Sequence, residues 1–171
     1  MAIEISRALP SEYPVILNNL PKEWFVPEPH LLHLQVADMV NGNRFLIAHD
    51  GDTLVGTIGW QDNVAFGAYY EKFLFVKPKY RREGVAAMLW RELLAIAEDS
   101  GQRAIFCDVP EGSSLVRSVR QVPGAREVGA IDDFHSDGVK SLIFALDVKE
   151  GRKFTAYADR LIKESGEHGH H

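Results

Sequence analysis

The sequence predicts an α/β (α+β) fold: one mixed sheet flanked by helices. Three observations lead there. Strand-like and helix-like segments alternate along nearly the whole chain. An apolar run, Phe73-Leu74-Phe75-Val76, breaks at Lys77-Pro78 and passes through a short basic loop into a long amphipathic helix. At 171 residues, with 46% hydrophobic and 25% charged content, the chain has the size and composition of one soluble domain with a sizeable core.

Residues 3–9 alternate apolar and polar side chains and predict a first strand, closed by Pro10. A short helix follows to about Leu20 with Ser11 as its cap. Residues 21–29, with three prolines and Trp24-Phe25, form an ordered apolar connection. Leu31, Leu34 and Met39 fall at helical spacing and place a helix over 30–40, ended by Asn41-Gly42-Asn43. Strands over 45–49 and 53–60 flank Asp50-Gly51-Asp52, a hairpin turn. Residues 62–67 read as loop and 68–76 as the central strand. Over 84–100, Val85, Met88, Leu89, Leu93, Ile96 and Ala97 make one apolar stripe, with Gly101 just past the helix end.

A strand over 104–109 comes next, then a short helix over 113–121, capped by Ser113 or Ser114 and stopped before Pro123. Late strands over 126–131 and 139–148 surround the turn His135-Ser136-Asp137-Gly138 and complete a domain of residues 1–149. Residues 150–171 are an appendage, an amphipathic helix and tail. Its stripe of Phe154, Tyr157, Leu161 and Ile162 predicts packing on its own domain or on a second copy, and a homodimer is expected through this segment or through the late strands over 126–148.

The chemistry is concentrated around Gly84. Lys79-Tyr80-Arg81-Arg82-Glu83 leads into Gly84-Val85-Ala86-Ala87 at a helix N-terminus. The first N–H groups of a helix have no internal partner, and the macrodipole adds about half a positive charge there. Gly84 has no Cβ to hold a phosphate oxygen away, and Ala86 and Ala87 keep the approach open. The stretch is therefore a candidate pyrophosphate seat, against the plainer alternative of a βα connection with solvated arginines.

Arg81-Arg82-Glu83-Gly84-Val85-Ala86 fits the pattern Gln/Arg-x-x-Gly-x-Gly/Ala, and Phe75-Val76-Lys77-Pro78-Lys79-Tyr80-Arg81 supplies an aromatic-Val-x-Pro-x-Tyr-Arg lead-in. Together they resemble the GNAT superfamily, the GCN5-related N-acetyltransferases, over about residues 3–148. The resemblance implies the GNAT fold, a sheet of about seven strands with a V-shaped acetyl-CoA cleft between strands four and five. It implies main-chain contacts from Leu74, Phe75 and Val76 to the pantetheine arm. The pyrophosphate would rest on the N–H groups of Arg82, Glu83, Gly84, Val85, Ala86 and Ala87, with Arg81, Arg82 and Lys79 adding charge. The implied activity is acetyl transfer from acetyl-CoA to a primary amine of a small molecule, amino acid or peptide. A non-catalytic acyl-CoA-binding or regulatory module is the alternative on the same scaffold.

Acetyl transfer requires a neutral amine, a polarised thioester carbonyl and a proton for the departing sulfur. Glu71, on the central strand, is the candidate general base. Strand alternation puts it with Phe73 and Phe75, and Lys72 with Leu74 and Val76; if the other face lines the site, Glu71 is a surface carboxylate. The tyrosine that many family members carry after strand five is missing from Ser118-Val119-Arg120-Gln121-Val122-Pro123-Gly124-Ala125, and Asp108-Val109-Pro110 replaces a common asparagine. Ser114, Ser118 or water remain as donors. The Trp24-Phe25 region is placed, by resemblance, at the acceptor pocket.

The formal charge of −5 speaks against nucleic-acid binding and mildly favours amine partners. The single cysteine, Cys107, excludes an intrachain disulfide and lies in an apolar run as a buried thiol. His30 and His33, three residues apart, lack the further ligands a metal site needs, and His168, His170 and His171 form a terminal cluster. With no membrane-length apolar run and no signal architecture at Met1-Ala2-Ile3-Glu4, a cytoplasmic protein is expected.

Overall fold

One seven-stranded sheet organises the chain. It is built from β1 (Ile3–Arg7), β2 (Phe45–Asp50), β3 (Thr53–Ala65), β4 (Ala68–Val76), β5 (Ala104–Pro110), β6 (Ala125–Ile131) and β7 (Ser141–Asp147). The computed structural model describes residues 2–25, 29–65, 67–135 and 137–168. The strand order is β1-β2-β3-β4-β5-β7-β6; β4 and β5 are parallel and the other neighbours antiparallel. Among the described residues five α-helices flank the sheet: α1 (Tyr13–Asn19), α2 (Pro29–Asn41), α3 (Val85–Asp99), α4 (Leu115–Arg120) and α5 (Gly151–His168).

The core lies in layers on the two sides of the sheet. Ile16 and Val36 of α1 and α2 pack with Phe45, Ile47 and Leu54 on one side. Leu89 and Leu93 of α3 and Phe154 and Ala158 of α5 pack with Leu46, Ile58 and Trp60 on the other. A smaller group beneath α4 joins Val116 to Cys107, Val109 and Phe144. The residues after Lys149 thus join the main core through Phe154 and Ala158, and Ile162 reaches Gly84, while Tyr157 and Leu161 of the predicted stripe are only partly buried.

Two local expectations differ from what is observed. Ser11 does not cap the first turn; the Glu12 carboxylate reaches back and accepts the Leu9 N–H at 2.9 Å. Residues 62–67 are not simply loop either. β3 runs on to Ala65, which pairs with Ala68, because the cross-strand ladder resumes beyond an irregularity between Gln61 and Ala65. The polar side chains there disguise a continuing strand.

The feature that shapes the site is a bulge in β4. Thr57 pairs with Phe75 and Gly59 with Lys72, so three steps on β4 oppose two on β3. The extra residue is accommodated at Phe73, whose φ of 56° lies in the left-handed region. A bulky side chain there is strained by about 1–3 kcal/mol, and its surroundings must hold it. Trp24 and Phe45 rings lie 6.2 and 6.5 Å from the Phe73 ring, and the buried Thr57 hydroxyl donates to the Phe73 carbonyl at 2.8 Å. A bulge bends its strand and ends regular pairing.

Candidate active site

Just before the bulge the sheet divides. The parallel pairing of β4 with β5 ends at Tyr70 opposite Phe106, although both strands continue. β4 is held against β3 there: Lys77 N–H donates to the Val55 carbonyl at 2.8 Å, and the Phe73 carbonyl is taken by Thr57. Main-chain direction alternates along a strand, so Leu74 and Val76 turn their polar groups to the open edge and Phe75 turns its own towards β3. The Arg81 guanidinium donates to the Val76 carbonyl at 3.0 Å and ties the following loop to that edge. The result is a fork on whose open β4 edge the Val76 carbonyl is taken by Arg81 and the Leu74 N–H by the Glu71 carboxyl, leaving the Leu74 carbonyl and the Val76 N–H turned to the cleft.

The loop at the top of the fork is tightly curled. Arg82 has φ 65° and Gly84, at the N-cap of α3, has φ 79°. Met88 N–H bonds the Gly84 carbonyl at 3.0 Å, so the N–H groups of Val85, Ala86 and Ala87 precede the first bond of this kind, the position at which a helix end can take an anion. Arg81 and Arg82 are exposed. Glu83 brings Oε2 to a buried position with no hydrogen-bond partner among the described residues. Glu83 opposes a phosphate electrostatically; its contribution to such a site is its N–H.

Glu71 lies at the vertex, 9% exposed. The bulge overturns its expected company. Tyr69, Leu74 and Val76 pack into the cluster beneath α3, and Glu71, paired across from Trp60, shares that side. Phe73 and Phe75 pack on the opposite side with Trp24, and Lys72 donates there to Gln35 of α2 at 3.0 Å. An inserted residue reverses every face beyond it, which period-two reading cannot anticipate. Burial pushes the Glu71 carboxyl up to about 8; the Asp108 carboxylate adds to this, while a Leu74 main-chain hydrogen bond and Lys72 oppose it. Burial likewise lowers the Lys72 ammonium.

Sequence reasoning missed a group on the α2 side of the same vertex. Asp108 accepts a hydrogen bond from the Tyr70 hydroxyl, and its Oδ2 stands 2.6 Å from His135 Nε2. The signal was Asp108 itself, a charged residue amid Ile105-Phe106-Cys107 and Val109. Cys107 and Val109 alternate with it and face α4, so Asp108 faces away. Burial first, then Asp108, raises the Tyr70 phenol. Cys107 is buried and its thiol is pushed up, chiefly by burial, as expected of an inert residue. Among the described residues no His, Cys, Asp or Glu cluster is arranged for a metal, and His170 and His171 lie outside them. No described helix is long and apolar enough to cross a membrane.

Comparison with known proteins agrees with this architecture. The model of the Acetyltransferase (GNAT) family matches residues 12–114. No curated protein matches the sequence. Among solved structures, a putative GNAT acetyltransferase from Desulfovibrio desulfuricans superposes with a TM-score of 0.67 at 19% identity, covering 86% of this chain and 99% of that one. Ard1 from Thermoplasma volcanium gives 0.71 at 14% identity, with 86% and 98% covered. The structure of yncA, a putative acetyltransferase from Salmonella typhimurium with its cofactor acetyl-CoA, gives 0.67 at 12% identity, with 86% and 95% covered. At these identities the likeness is one of fold.

Proposed function

The chain belongs to the GNAT acetyltransferase family, and we propose that it moves an acetyl group from acetyl-CoA directly to a primary amine of a small molecule, amino acid or peptide. The observation that carries this reading is the fork between β4 and β5 alongside the Phe73 bulge, which runs from the N-terminus of α3 to the buried carboxyl of Glu71. The residues fit the co-substrate. Arg82, Glu83, Gly84, Val85, Ala86 and Ala87 offer N–H groups to the pyrophosphate, with charge from Arg81 and Arg82. Leu74 and Val76 offer main-chain groups to the pantetheine arm, and Phe75 holds the strand against β3.

The amine nitrogen attacks the thioester carbonyl carbon, and the C–S bond breaks as the C–N bond is kept. Glu71 takes the proton that the attacking nitrogen must lose. A carboxyl raised to about 8 holds such a proton well. It lies on the α3 side, where the sulfur of a ligand anchored at Gly84 would sit, and returns the proton to the thiolate. One buried group then serves as base and acid, which accounts for a chain without the family's tyrosine.

Release of free thiol from acetyl-CoA across a panel of amines tests the reading. Acceptor-dependent release supports it; CoA binding without turnover for any amine would leave a binding module instead. The edge strand β6, with Val128 45% and Ile131 42% exposed, is the surface through which we place a homodimer. Light scattering on the protein and on Val128→Lys reads it: a dimer mass that falls for the variant is expected, and a monomer throughout removes it.

A further inference from the structure

An amine reaches an enzyme at neutral pH mostly as an ammonium ion, which has no lone pair with which to attack. Glu71 can take the proton lost during attack, but the ammonium must be discharged before that, in a separate proton transfer. Building on the acetyltransferase reading, we propose that His135 is a second catalytic base, which strips the incoming ammonium on the α2 side of the fork. In this assignment Asp108 and Tyr70 are positioning residues that aim it.

The arrangement is specific. Asp108 is rooted in β5 just beyond the last paired residues, and its side chain is 10% exposed. Its two oxygens are used from opposite directions: Oδ1 by the Tyr70 hydroxyl of β4, Oδ2 by Nε2 of His135 at 2.6 Å. A carboxylate only accepts hydrogen bonds, so Nε2 carries the proton and the lone pair of the neutral ring is on Nδ1. The imidazole stands on the β6–β7 turn, half-exposed, with the Phe134 ring edge-on at 4.5 Å. One end of the chain is anchored at the vertex and the other reaches solvent. That is what a group needs if it must unload a proton to water between turnovers. An exposed histidine with no function has no requirement for a buried carboxylate that is in turn fixed by a tyrosine across a gap between strands.

The step balances. The ammonium gives one proton to Nδ1 of His135, which passes it to solvent. The neutral nitrogen then attacks, and its second proton travels through Glu71 to the sulfur. One ammonium and one thioester become one amide, one thiol and one proton released. The charged and titratable groups around the imidazole are Asp108 of β5, with Tyr70, Glu71 and Lys72 of β4 behind it, and Asp132, Asp133, Asp137 and Lys140 on its own turn. Lys72 donates to the neutral Gln35 and its ammonium stands in the field of Asp108 and Glu71, so the acidic approach that suits a cation is the one from the turn, where Asp132, Asp133 and Asp137 outnumber Lys140.

His135→Ala on the full chain is the main test, since a residue on an exposed turn can be removed without loss of the core. Turnover at neutral pH should fall by about 10²-fold or more with CoA affinity unchanged. The deficit should shrink as pH rises towards the acceptor's own pKa, where free amine is abundant, and added imidazole should restore part of the rate. Asp108→Asn, close to isosteric, should lower kcat in the same pH-dependent way. A His135→Ala profile parallel to wild type, with no imidazole rescue, overturns this proposal and leaves the acetyltransferase reading standing. A wild-type protein that releases no thiol with any amine overturns both.

Discussion

A Cβ placed on Gly84 would stand 3.1 Å from the Cα of Ile162 on α5. The last helix therefore lies directly over the loop that opens α3, and the glycine is required twice, for its left-handed φ of 79° and for this approach. A side chain cannot be added there without pushing α5 or distorting the first turn of α3.

Gly84→Val should therefore weaken CoA binding tenfold or more, about 1.4 kcal/mol, and lower the thermal midpoint. Adding Ile162→Ala to that variant should recover part of the stability by making room, but not the affinity. Calorimetric titration with CoA separates the two. Unchanged affinity in a folded Gly84→Val protein would remove the pyrophosphate from this loop. Arg81→Ala should cost less and lose its effect in salt, because an exposed charge is screened.

Glu71→Gln should reduce turnover about 10²-fold and spare CoA affinity. The wild-type rate should climb with pH towards about 8, where the carboxyl ionises, and the variant should lose that limb. Stability carries a second signature. Burial raises the folded carboxyl from 4.5 to about 8, so the neutral form is favoured in the fold. The associated stability is complete below 4.5 and is lost as pH rises through about 8. Urea midpoints at pH 5 and pH 9 should differ less in the variant than in wild type. Equal differences would mean that Glu71 is charged in the folded state.

Much of this architecture was legible because local signals agreed. Val-x-Pro-x-Tyr-Arg before Gly84, and a clean apolar stripe after it, located β4, the loop and α3 from neighbouring residues alone. The face of Glu71 was not legible. It depends on an extra residue opposite Thr57, a relation between strands that are remote in sequence, and a phenylalanine carries no mark of a left-handed φ. The Asp108–His135 pair was hidden for the same reason, since 27 residues and a change of strand separate its members. Only the charge at Asp108 within an apolar strand pointed to it.

Thr57 holds the bulge that makes the fork. Its side chain is fully buried and its hydroxyl is given to the Phe73 carbonyl. Thr57→Val keeps the volume but leaves that carbonyl unpaired, at a cost of about 1–3 kcal/mol. The strained turn at Phe73 should then relax towards regular pairing, narrowing the cleft. CoA affinity should drop along with stability, whereas a core substitution remote from β4 and of equal cost should leave affinity alone. A Thr57→Val protein that is less stable but binds CoA normally would show that the fork does not depend on this bond.

The C-terminal helix supplies the last prediction, since its place in the core decides whether it can be removed. Phe154 is 4% exposed and Ala158 is fully buried, both packed with Leu89 and Leu93 of α3. Arg91 and Asp159 meet at 2.5 Å across the two helices, but both are partly exposed and add little. The stabilisation is apolar. Phe154→Ala should therefore cost about 3–5 kcal/mol, a large part of the stability of a domain this size, while Asp159→Ala should be nearly silent. A chain ending at Lys149 would uncover that side of α3 and lose the cover over Gly84. It should unfold at a markedly lower temperature and bind CoA more weakly even where it remains folded. Light scattering with a thermal melt reads both effects. A truncated protein that is monodisperse and as stable as the full chain would mean that α5 rests on the domain without supporting it.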